Sequence, residues 1–172
     1  MPLNNVDLKK YIAHTFVETG TFRGDGLLAA YVAGFKLIHS IDIDADNIER
    51  VSLKIKDKPG IKLYHGSSPA ILPTILANLT GGVTFWLDAH PNGKLSIYPN
   101  TPERNYAPLL EELAVIKEHL HHLGNVNILI DDMRTFKPGA QKRLTDELVA
   151  MGAAVSRIDG IKADDILVGK IR

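Results

Sequence analysis

Short apolar runs alternate with amphipathic stretches from end to end of the chain, the pattern of strands and crossover helices in a parallel α/β sheet. Thr15 to Glu18, Leu37 to Asp42, Ile61 to Tyr64, Val83 to Leu87 and Val126 to Ile130 are short and rich in β-branched or large apolar residues, as doubly buried strands are. Most of them run directly into a polar or acidic residue. Between them, Asp25 to Ala33 reads as a helix stopped by Gly34. Asp46 with Glu49 resembles a capping box, followed by Ile48, Val51 and Ile55 on one helical face. Ser68 and Pro69 open a third helix lined by Leu72, Ile75, Leu76 and Leu79, in which Pro73 is tolerable only within the first turn.

Leu109, Leu113, Ile116, Leu120 and Leu123 recur at helical spacing and predict one long helix ended by Gly124, with Glu111, Glu112, Lys117 and Glu118 at its exposed positions. A last helix runs from about Gln141 to Met151. Ala153 to Ile158 and Ile166 to Ile171 then read as strands whose link is too short for a parallel crossover, so they should pair antiparallel.

Composition narrows the class. A chain of 172 residues, 45% hydrophobic and 23% charged, is an ordinary globular domain. It is read as a single domain spanning residues 1–172. Twenty basic residues balance twenty acidic ones, so no global field would collect nucleic acid or an anionic membrane. The absence of cysteine removes disulfides, thiolate metal sites and thiol nucleophiles together. The N-terminal residues lack signal-peptide character, and no stretch approaches the ~18 apolar residues of a membrane span, so a cytoplasmic location is expected.

Chemistry concentrates where strands end. In open α/β sheets ligands sit beyond the carboxyl ends of the strands, usually at the first strand-to-helix turn. Here that turn is Glu18-Thr19-Gly20-Thr21-Phe22-Arg23-Gly24-Asp25-Gly26. Gly20, Gly24 and Gly26 allow positive φ and close backbone approach to a ligand. Its E-x-G-x-x-x-G-x-G spacing departs from the dinucleotide fingerprint G-x-G-x-x-G.

That pattern after a first strand resembles motif I of class I S-adenosylmethionine-dependent methyltransferases. The resemblance spans about Phe16 to Ile171 and implies a Rossmann-like, doubly wound, mostly parallel seven-stranded sheet with an antiparallel C-terminal hairpin. It also implies S-adenosylmethionine as cofactor, with Glu18, Thr19, Gly20, Gly24 and Gly26 in the binding loop and Asp42 on the ribose hydroxyls, Asp44 being a second candidate. Ser67, in the segment after the third strand, stands where the family carries an acid beside the adenine. The segments Phe85-Trp86-Leu87-Asp88-Ala89-His90 and Leu129-Ile130-Asp131-Asp132-Met133-Arg134 are similar to those of a bacterial methyltransferase-like group with "FWLDGH" and "LIDDxR" segments.

The same two segments resemble the metal-dependent O-methyltransferases. By that resemblance Asp88, Asp131 and Asp132 are candidate ligands for Mg²⁺ or another divalent cation, for which carboxylate oxygens are suited. His90 is then the imidazole placed to take a proton, with Asp88 beside it on the cofactor or the reacting groups. Plainer readings stand beside these. Asp88 could only position a loop, Asp131 or Asp132 could cap a turn, Arg134 could neutralise the cluster without a metal, and His90 could bond backbone alone. His119, His121 and His122 close a helix, where cationic or polar residues suit the dipole.

The 19 residues from His90 to Pro108 hold four prolines and three asparagines and read as a substrate loop, with Lys94, Tyr98, Arg104 and Tyr106 as candidate contacts. Little chain precedes the first strand, so either this loop or a partner subunit in a homo-oligomer would complete the pocket. The expected activity is methylation of a hydroxyl on a small molecule or sugar. Cleavage of the cofactor itself, or cofactor binding without turnover, are the alternatives.

Overall fold

The structure is a computed structural model that describes residues 6–89 and 108–172. A short 3-10 turn, Leu8–Tyr11, leads into β1 (Thr15–Thr19), and α1 (Asp25–Ala33) follows. Then come β2 (Leu37–Asp42), α2 (Ala45–Lys54), β3 (Ile61–His65), α3 (Ser68–Leu76) and β4 (Gly81–Leu87). The second half holds α4 (Leu109–His119), β5 (Leu123–Ile130), α5 (Pro138–Ala150), β6 (Ala154–Ile158) and β7 (Ile166–Ile171). Strand order is β3-β2-β1-β4-β5-β7-β6, parallel except for β7, which runs antiparallel to both β5 and β6. The seven-stranded sheet and its C-terminal hairpin are those expected.

Alternation along each strand builds two cores. Val17, Ile41, Phe85, Leu87, Ile128 and Ile130 face α3, α4 and α5. Phe16, Ile38, Trp86, Leu129 and Val168 face α1 and α2 on the other side. Trp86 is buried in that second core, as its position in the strand predicts. No helix among the described residues is long and apolar enough to cross a membrane.

Local reading missed several boundaries. Helix α2 is capped by Asp44, whose carboxylate accepts from the Asp46 N–H at 2.9 Å, so Asp46 belongs to the first turn. Pro73 lies inside α3, beyond the first turn, where packing of Leu72, Ile75 and Leu76 outweighs the missing N–H. The long helix predicted to reach Leu123 ends at His119, tightens into a 3-10 turn at Leu120–His122 and gives way to β5. Gly124 therefore sits in a strand, pressed against Gly81 and Gly82, where a Cβ would meet Gly81 backbone at 3.0 Å. That contact, between residues far apart in sequence, has no local signature.

Candidate functional site

The sheet reverses its winding between β1 and β4, and their carboxyl ends part there. Register then aligns the chemistry. Thr19 pairs with both Ile41 and Leu87, and Leu87 pairs with Ile130, so the four strand ends stand level. The residues that follow are Gly20, Asp42, Asp88 and Asp131, side by side along one edge.

The glycine turn fits that edge tightly. Gly20 has φ +90, and a Cβ there would lie 2.6 Å from the Asp88 carbonyl oxygen. Gly24 has φ +81, and its Cβ would strike Val51 at 2.9 Å. Gly26 differs from expectation: α1 begins at Asp25, so Gly26 is a helical residue rather than a left-handed one. Phe22 takes φ 45, a left-handed conformation rare for an aromatic residue, and its N–H donates to Asp42 Oδ2 at 2.7 Å.

Asp42 holds this loop together. Besides Phe22 it accepts from the Asp44 N–H at 2.8 Å and from Asn47 Nδ2 at 3.2 Å. These bonds leave one acceptor position on Oδ1 for a ligand hydroxyl. Ser67 is the N-cap residue of α3 but makes no side-chain capping bond, and neighbouring Gly66 donates its N–H to the Asp42 carbonyl at 2.8 Å. Thr19 points to the α3–α4 side, and its carbonyl accepts the Asp88 N–H at 3.0 Å.

Glu18 sits behind the glycine turn, buried. A relay of hydroxyls reaches it: Ser40 donates to Glu18 Oε2 at 2.5 Å, so the 2.7 Å Thr21–Ser40 contact must be donated by Thr21. Burial pushes the Glu18 carboxyl up to about 8; the Ser40 bond pulls against this, while the charges of Asp88, Asp42 and Asp25 add to it. The turn is thus ringed by acids, and Asp25, at the start of α1, keeps one buried oxygen without a partner. A site of this sign favours a cation and opposes a pyrophosphate.

Asp131 and Asp132 follow β5 as expected, yet the third acid brought to them is Asp165, from the β6–β7 link. Carboxylate oxygens of these three lie within 4.8 Å of one another, a group that does not include Asp88. Burial, followed by the charge of Asp88, raises Asp131 to about 7, and its Oδ2 is buried without a partner. Arg134 contacts both Asp132 and Asp165. A further acid was missed by sequence reasoning. Glu112 of α4 is fully buried, accepts a hydrogen bond from Ser68 and is raised to about 7 by burial. The helical pattern predicts Glu112 with Glu111 on the exposed side of α4, whereas the partner that holds it inside, Ser68, comes from another helix. His90, Lys94, Tyr98, Arg104 and Tyr106 lie outside the described residues. His119, His121 and His122 lie away from this edge, their ring nitrogens on carbonyls of α4 and α3 and on one another.

No protein-family model and no curated protein matches the sequence. Solved structures do match. An O-methyltransferase from Bacillus cereus in complex with SAH is similar with a TM-score of 0.64 at 12% identity, over 95% of this chain and 76% of that one. The O-methyltransferase TomG from Streptomyces achromogenes, in complex with SAM, gives 0.64 at 15%, over 95% and 75%. An rRNA methylase from Streptococcus thermophilus gives 0.57 at 18%, over 96% and 91%. The chain has the class I methyltransferase fold. Within that fold, the level row of Gly20, Asp42, Asp88 and Asp131 stands at the topological switch point.

Proposed function

We propose that this chain is an S-adenosylmethionine-dependent methyltransferase acting on a hydroxyl of a small molecule or sugar. The observation that carries the reading is the sign of the glycine turn. Asp88, Asp42 and Asp25 stand close enough to it that their charges add to the burial that raises Glu18 behind the turn. S-Adenosylmethionine has no pyrophosphate and bears a sulfonium and an ammonium, charges that such a ring stabilises. Its structural neighbours include O-methyltransferases in complex with SAH or SAM, which agrees with that ligand class.

The bound cofactor would supply the methyl group on a positively charged sulfur. Gly20 and Gly24 let the backbone close on it without side-chain atoms, and Asp42 offers its remaining lone pair to a ribose hydroxyl. Ser67, with its hydroxyl not spent on capping, stands on the adenine side. Asp88 lies between the turn and Asp131, where it holds the reacting groups in line. The acceptor proton passes to Asp88 or His90 as the oxygen attacks. Asp131 and Asp132 border the acceptor side. The divalent ion implied by the metal-dependent O-methyltransferases fits this edge poorly, because the oxygens of Asp132 and Asp165 already contact Arg134.

Incubation with methyl-labelled cofactor and a panel of hydroxylated small molecules and sugars tests the proposal. Label recovered on an acceptor is the expected result. Cofactor consumed with no acceptor labelled would replace transfer by cleavage of the cofactor, and label transferred only to RNA would overturn the substrate class.

A further inference from the structure

Asp131 and Asp132 after β5 converge with Asp165 of the β6–β7 link, and charge of one sign at such short range needs an answer. The answer is local in sequence. Asp132 adopts a left-handed backbone with φ 55, which turns the chain into a 3-10 turn at Met133–Thr135. Met133 is buried beneath the turn, and its N–H donates to the Asp165 carbonyl at 2.9 Å. The turn is therefore fixed to the β6–β7 link from below. Arg134 is then delivered over the acids. Its backbone N–H donates to Asp165 Oδ1 at 3.1 Å, and its Nη1 contacts both Asp165 Oδ2 and, at 2.5 Å, Asp132 Oδ1.

One nitrogen thus bridges the Asp132 and Asp165 carboxylates. Asp131 Oδ1 is occupied as well, by the Asp132 N–H at 2.7 Å. Four of the six carboxylate oxygens of the group are held by the chain itself. A guanidinium never loses its charge in a protein, and its planar fork suits two carboxylates better than a lysine would.

We propose that Arg134 is the resident cation of this acidic edge, taking the place a divalent ion would have among Asp131, Asp132 and Asp165, so that this chain works without a metal. The first part concerns the cluster alone; the second rests on the methyltransferase reading. Asp165 is assigned with it as the acid that anchors Arg134. The pattern Asp131-Asp132-Met133-Arg134 then describes one unit, an acidic edge carrying its own counter-ion.

Manganese binding, followed by electron paramagnetic resonance and calorimetry with thermal unfolding alongside, tests this. The native chain should bind no Mn²⁺ at the cluster and keep its melting temperature in chelator or in millimolar Mg²⁺. Arg134→Gln frees the Asp132 and Asp165 carboxylates beside Asp131 and should bind one Mn²⁺ at least about tenfold more tightly than the native chain. Arg134→Lys keeps a cation in place and controls for loss of folding; it should remain without metal. Stoichiometric Mn²⁺ binding by the native chain that is lost in Asp131→Asn would overturn the proposal. An Arg134→Gln protein that folds but gains no metal affinity would overturn it too. Adenosylhomocysteine binding on the same samples keeps the two claims apart, since its absence defeats the methyltransferase reading and leaves the metal result to judge Arg134.

Discussion

Glu18 illustrates how much one buried acid can report. Its carboxyl is held near 8, and Glu112 and Asp131 near 7, against ordinary values of 4.5, 4.5 and 3.8. All three therefore bind protons in the folded state that they release when unfolded, and the stability this gives is lost as pH rises through those values. His39 is the opposite case. Burial lowers it to about 4, so it costs stability only below about 6.5. Above that pH only the acids act. Stability of the ligand-free chain should fall between about pH 6.5 and 8, by roughly 3 kcal/mol at most, and Glu18→Gln should remove about half of that slope in thermal unfolding. A stability that rises across this window would contradict the burial described for Glu18. Gly20 gives a second test at this scale. Gly20→Ala puts a methyl group 2.6 Å from the Asp88 carbonyl in a left-handed backbone. It should lower the melting temperature by roughly 5–10 °C and abolish adenosylhomocysteine binding. Normal binding by a folded variant would show that the turn has room to spare.

At the scale of elements, strand ends were legible because each announces itself locally: an apolar run that stops at Asp42, Asp88 or Asp131. Helix ends were harder, since a cap is decided by backbone angles that several neighbouring residues could supply. Asp44 and Asp46 both suit the start of α2, and only the bond from the Asp46 N–H to Asp44 decides between them. Asp44→Ala should cost about 1 kcal/mol, seen as a shift of roughly 2–4 °C, while Asp46→Ala should cost clearly less. Equal losses would return the cap to Asp46. The residues that escaped sequence reasoning share one trait, which is a partner from a distant element. Glu112 meets Ser68 across 44 residues and Asp165 meets Arg134 across 31. No window of sequence contains such pairs.

Across the whole molecule, the alternation of apolar runs was enough to establish a parallel sheet closed by an antiparallel hairpin. Register did what pattern could not. Levelling Thr19, Ile41, Leu87 and Ile130 puts Gly20, Asp42, Asp88 and Asp131 on a single edge, so residues read separately become parts of one cleft. The fold alone hosts small-molecule and RNA chemistries alike, as its neighbours show. The acids around the glycine turn are what single out a cationic nucleoside as ligand. Calorimetry with S-adenosylmethionine, adenosylhomocysteine and NAD⁺ puts that claim to the test most directly. The account predicts one site for each adenosyl ligand, a rise of roughly 5–10 °C in melting temperature near 100 times the dissociation constant, and no heat with NAD⁺. Silence with both adenosyl ligands at millimolar concentration, or binding of the dinucleotide in their place, would contradict it.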